Sequence, residues 1–156
     1  MIDLAGIDPK LHDAVTALAA DMRAHGYQRD DPVREVFALL GDRWTTLILL
    51  VLDIGLWRHA ELRRVLGRLA AEGKISQRVL TLKLRALERD GIVRRHATGD
   101  VPPMVSYELS DLGRGLIGET RRLMTWVQGH RAQIDAARAA FETNKLKDGG
   151  RPARPA

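Results

Sequence analysis

Between Ile75 and Gly91 the apolar residues fall at helical spacing. Leu80, Leu84 and Leu87 share one side with Val79 alongside, while Gln77, Arg78, Thr81 and Arg85 collect on another. Ser76 stands at the N-cap position, where a hydroxyl accepts from an otherwise unpaired amide, and Gly91 stands where a left-handed C-terminal residue belongs. The pattern predicts a helix with one face in a core and the other offered to a polar partner. For a lone helix, such a face by itself means no more than solvation.

The same reading places the other elements. Asp8 and Pro9 start an N-terminal helix whose narrow stripe, Leu11, Val15, Leu18 and Met22, runs to Gly26. Pro32 starts a second, with Val33, Val36, Phe37 and Leu40 inward, closing at Gly41. Asp42 caps a third, whose Trp44, Leu47, Ile48, Val51 and Leu52 form core, and Gly55 ends it. From Arg58 a fourth carries Leu62, Val65, Leu66 and Leu69, and a turn over Ala70 to Lys74 leads into the helix capped by Ser76. Two helices joined by a short glycine-containing turn follow the helix-turn-helix plan. The period then changes to that of strands. Ile92 to Ala97 and Met104 to Leu109, the latter with Val105, Tyr107 and Leu109 on one face, flank a turn holding Gly99, Pro102 and Pro103. A hairpin beside a helix-turn-helix is a winged helix.

Ser110 caps a last helix bearing Leu112, Leu116, Ile117, Leu123, Met124, Val127, Ile134 and Phe141. Continuous to Asn144, it would span about 50 Å, more than the domain itself requires. The expected fold is mainly α, in four parts. Residues 1–31 are an N-terminal helix and linker, and 32–110 a winged helix-turn-helix domain with a two-stranded wing. Residues 111–144 are a long dimerisation helix, and 145–156 a disordered basic tail.

Charge sharpens the picture. The net charge is +5, and from Ser76 to Arg95 the bases Arg78, Lys83, Arg85, Arg89, Arg94 and Arg95 face only Glu88 and Asp90. That clustering suits a polyanion. No apolar run reaches the roughly 20 residues of a membrane span, and the acidic N-terminus is unlike a signal peptide, so a cytoplasmic location is expected. Without cysteine, disulfides, thiolate metal sites and thiol redox sensing are excluded.

Enzyme readings find little support. Gly113, Gly115 and Gly118 spell GxGxxG, with Asp135 at about the acidic spacing of a dinucleotide fingerprint. The second parallel strand that fingerprint needs is missing, because residues 119–142 read as helix. His12, His25, His59, His96 and His130 are scattered without metal-ligand spacing. No catalytic residue, cofactor or metal is expected.

The strings PVREVFALLGDRWTTLILL (32–50), HAELRRVL (59–66), ISQRVLTLKLRALERDGIVRR (75–95) and VPPMVSYELSDLG (101–113) resemble the HxlR-type transcriptional regulators, a branch of the MarR-like winged-helix proteins. The resemblance covers roughly residues 32–127. It implies a homodimeric DNA-binding regulator, in most members a repressor and in some an activator. Three departures stand out. Where redox-sensing members carry a cysteine before the Pro-Val pair, this chain has Asp31, which leaves a small-molecule effector as the expected input. The link LGRLAAEGK exceeds the family's short turn, and the first 30 residues lie outside the resemblance.

The helix-turn-helix plan assigns the contacts. The helix capped by Ser76 enters the major groove, with Ser76 itself among the DNA-binding candidates, Gln77, Arg78 and Thr81 at base edges and Arg85 at a base or a phosphate. Lys83 goes to a phosphate or the surface. Of the adjacent strand residues Arg94 and Arg95 only one faces DNA, with Arg94 favoured, and His96 joins it in the minor groove. Leu11, Val15, Leu18, Met22, Leu116, Leu123, Met124, Val127 and Ile134 are the candidate dimer contacts. The competing reading is a winged-helix protein-interaction module with only non-specific affinity for DNA.

Overall fold

The computed structural model describes residues 3–26, 28–71 and 73–149. Asp8 accepts from the Lys10 amide and caps a short 3₁₀ turn, Pro9–Leu11, which runs on into α1 (His12–Ala24). Asp31 caps α2 (Pro32–Leu40) by accepting from Val33 N at 2.9 Å. The Asp42 carboxylate accepts from the Trp44 and Thr45 amides and from the Thr45 hydroxyl, each at 3.0 Å, and so starts α3 (Thr45–Leu52). Ile48, Leu49, Val51 and Leu52 of α3 are buried, and the rest of the domain packs around them.

Strand β1 (Trp57–Arg58) leads into α4 (His59–Leu69), which contributes Leu62 and Leu66 to the core. α5 (Gln77–Arg89) contributes Leu80, Leu84 and Leu87, all fully buried, as its spacing predicts. Gly91 has φ +71°, the left-handed conformation that turns the chain out of α5 toward the sheet. Strands β2 (Val93–Ala97) and β3 (Val105–Leu109) pair antiparallel as the wing, with Arg95 opposite Tyr107.

The wing has one strand more than the hairpin expected. β1 pairs along the other edge of β3, Trp57 opposite Tyr107, giving the order β1-β3-β2. The Trp57 indole donates to the Val51 carbonyl at 2.9 Å, which fastens that edge to the core helix.

The C-terminal helix differs from the sequence expectation. α6 (Asp111–Gly129) is interrupted at His130, and α7 (Arg131–Gly149) follows as a separate helix. At the junction the His130 amide donates back to Trp126 and Val127, its ring stacks on Trp126 at 4.3 Å, and its own carbonyl accepts from Ile134. The expected disordered tail also starts too early, since α7 continues through Lys145 to Gly149; residues 150–156 lie outside the described residues.

Ser110 explains the glycines that imitate a nucleotide fingerprint. Its hydroxyl donates to the Ile92 carbonyl and accepts from the Gly113 amide, both at 3.0 Å, drawing the first turn of α6 against the residue that leads into β2. A Cβ on Gly113 would lie 2.1 Å from the Ile92 carbonyl oxygen, whereas Gly115 and Gly118 face open space. The first glycine answers to the close approach of the helix to the Ile92 carbonyl.

Candidate nucleic-acid interface

Burial of Leu80, Leu84 and Leu87 leaves the opposite side of α5 outward. Gln77, Arg78 and Arg85 are exposed there and Thr81 is half-buried, so the four polar residues singled out in the sequence share one surface. Ser76 closes the N-terminus of α5, its hydroxyl accepting from Val79 N at 3.1 Å. Leu82, 55% exposed, stands among these polar residues, a place that helical spacing alone assigned to no partner.

Between α5 and the wing runs a groove of about 740 Å³. Gln77, Thr81 and Arg85 form one wall; Arg95, Met104 and Tyr107 form the other, and Arg58 and His59 lie at its base. His59 Nε2 hydrogen-bonds the Thr81 hydroxyl at 3.1 Å, fixing where that hydroxyl sits. Burial, and then the charge of Arg63, hold the His59 imidazole below its usual range, which favours the uncharged ring at neutral pH.

Two of the expected contacts are placed differently. Lys83 falls beside the buried leucines on α5, and its ammonium pairs with Asp42 at 2.8 Å, binding α5 to the start of α3 rather than projecting from the polar face. In the wing it is Arg95 that lines the groove, while Arg94 points toward Asp111 at 3.8 Å. Cross-strand register decides this: opposite Tyr107, Arg95 shares the Tyr107 face of the ribbon, and Arg94 takes the other. His96 is exposed and hydrogen-bonds Glu108 at 2.9 Å.

A second basic cluster lies on α4 and the link after it. Arg63, Arg64, Arg68 and Lys74 line a shallow concavity, and none of the four forms an ion pair among the described residues. The signal was present in the string RRVLGRL, where Arg63, Arg64 and Arg68 flank the apolar Val65 and Leu66.

The candidate dimer contacts spread over three places. Leu11 and Leu18 on α1 are 53% and 58% exposed, with Val15 and Met22 half-buried. Leu123 and Val127 on α6 are exposed, Met124 and Ile134 are half-buried, and Leu116 packs on the core of its own chain. Trp126 on α6 and Phe141 on α7 are also exposed, at 57% and 66%.

Comparison with known proteins agrees with this architecture. The family described as HxlR-like helix-turn-helix matches residues 39–135. The chain is 36% identical over 118 residues to the uncharacterized HTH-type transcriptional regulator YdeP of Bacillus subtilis, covering 73% of this chain and 88% of that one. It is 36% identical over 107 residues to the regulator YtfH of Escherichia coli, covering 69% and 80%. Among solved structures, the putative transcriptional regulator ytfH from Salmonella typhimurium superposes with a TM-score of 0.58 at 33% identity, over 72% of this chain and 96% of that one. The redox regulator HypR in its reduced form gives 0.56 at 33% identity, over 68% and 99%. No helix among the described residues is long and apolar enough to cross a membrane. With its winged-helix core, its outward polar helix face and these relatives, the chain belongs to the HxlR-like helix-turn-helix family of transcriptional regulators.

Proposed function

We propose that this regulator binds a specific, near-palindromic operator as a homodimer, acts as a repressor, and is released by a small-molecule effector. The observation that carries the reading is the free polar face of α5 set beside a groove whose far wall holds Arg95. With α5 in the major groove, Gln77, Arg78, Thr81 and Arg85 meet base edges. Arginine pairs bidentately with guanine, and Leu82 supplies an apolar contact for a thymine methyl. Arg95 follows the adjacent backbone or minor groove, and Arg63, Arg64, Arg68 and Lys74 neutralise phosphates where the first helix of the motif crosses the backbone.

Dimerisation is supported by the unpartnered apolar residues Leu123, Trp126, Val127 and Phe141 on α6 and α7, and by the stripe on α1. A two-fold pair would set its reading helices roughly 34 Å apart, one turn of DNA. A thiol input has no residue to act on, because the chain holds no cysteine. An electrophoretic mobility shift against the DNA upstream of its own gene, repeated across salt, tests the whole reading. A discrete complex that resists competitor DNA and weakens with salt is expected. Equal affinity for competitor would favour a protein-interaction role instead.

A further inference from the structure

A second cavity, of about 650 Å³, lies between the start of α2, the turn after α5 and the first half of α6. Its floor is aliphatic: Val36, Ile92, Leu112 and Leu116 face it, and Gly115 leaves its wall without a side chain. Its rim carries Asp30, Glu35, Asp90, Asp111 and Glu119, and no lysine, arginine or histidine lines it. Four arginines approach these acids from nearby: Arg89 holds Glu35 and Asp90, Arg94 and Arg114 reach toward Asp111, and Arg122 pairs with Glu119. Asp30 has no ion pair among the described residues, so the rim keeps one unpaired carboxylate over an apolar floor.

Size, floor and charge together select an occupant. A volume of this order takes a small organic molecule, an aliphatic floor favours an apolar body, and a carboxylate rim favours positive charge and repels an anion. We infer that this cavity is a binding site for amphipathic organic monocations. As an input to DNA binding, the site deepens the effector reading above. Arg89, the last residue of α5, is held by two of the rim carboxylates, so a cation competing for Glu35 and Asp90 acts on the end of the reading helix.

Isothermal titration of the full chain with tetraphenylphosphonium and with tetraphenylborate, ions of the same shape and opposite charge, tests the inference. Saturable binding of the cation and none of the anion is expected. Gly115→Leu places a side chain in the cavity from a position whose Cβ meets nothing within 4 Å. It should weaken cation binding by about tenfold or more, with the thermal melt retained. Asp30→Asn with Glu119→Gln should weaken it through charge alone. Equal binding of both ions, no binding of either, or unchanged cation binding in Gly115→Leu would overturn the site. The titration contains no DNA, so its failure leaves the operator reading standing, and failure of the mobility shift leaves the cavity standing.

Discussion

Asp42 shows how one side chain can serve two elements. Its carboxylate starts α3 and also receives the Lys83 ammonium of α5. Burial taken alone raises its pKa; the hydrogen bonds from Lys83, Thr45 and Trp44 together outweigh that and hold it below the usual carboxylate value. A depressed native value means the contribution is complete above the unfolded value near pH 4 and is lost as pH falls through the native one. Asp42→Ala should cost about 1–2 kcal/mol in denaturant melts at neutral pH. Asp42→Asn, which keeps an acceptor for the helix amides, should be milder and should flatten the acid limb of the stability curve. On the reading face, Arg78→Ala should cost roughly 1–3 kcal/mol of specific binding and relax the preference at one base pair, as measured by titration of operator variants. Unchanged operator affinity would remove Arg78 from the contact set. Which residues point outward on α5 was legible because helical period alone separates Arg78 from Leu80. Which of Arg94 and Arg95 lines the groove was not, because a strand's facing residue depends on a partner strand whose register adjacent residues do not reveal.

Elements whose signals are local were the readable ones. Ser76 and Gly91 bound α5 through the conformations of the residues themselves, and Asp31 with Pro32 does the same for α2. β1 escaped notice because two residues, Trp57 and Arg58, carry no period; they are strand only by pairing with residues far along the chain. The break at His130 was visible only as Gly129, one of several glycines in a helical pattern, most of which α6 absorbs without interruption. The glycines of α6 supply a direct test of packing against motif. Gly118→Ala, with open space around its Cβ, should raise stability by about 0.5–1 kcal/mol by removing helix-interior glycine. Gly113→Ala should lower it by about 1–3 kcal/mol, because the Ile92 carbonyl must move. Thermal melts of the two variants read opposite signs if close approach, rather than a bound dinucleotide, sets the requirement.

For the whole molecule, the winged core could be inferred from one chain, whereas the assembly depends on surfaces that a single chain leaves uncovered. Leu123→Asp with Val127→Asp puts two charges into the apolar surface proposed for dimerisation. Light scattering at micromolar concentration should then give a monomer mass where the parent gives a dimer, and operator affinity should fall with it. A monomeric parent would defeat the two-fold model of operator binding. In the proposed mode of binding the basic residues of α4 would add a separate, sequence-blind contribution: each of Arg63, Arg64 and Arg68 changed to Ala should reduce the slope of log affinity against log salt by about 1.

The central strand of the wing is held along both margins, and the Trp57 indole anchors the β1 margin to the Val51 carbonyl. Helix and ribbon therefore behave as the jaws of a caliper whose opening is set when the chain folds. A duplex that does not match that gauge has to yield to it. Sites rich in easily bent steps should be preferred even at positions no side chain reaches, and curvature should appear in the nucleic acid rather than in the wing.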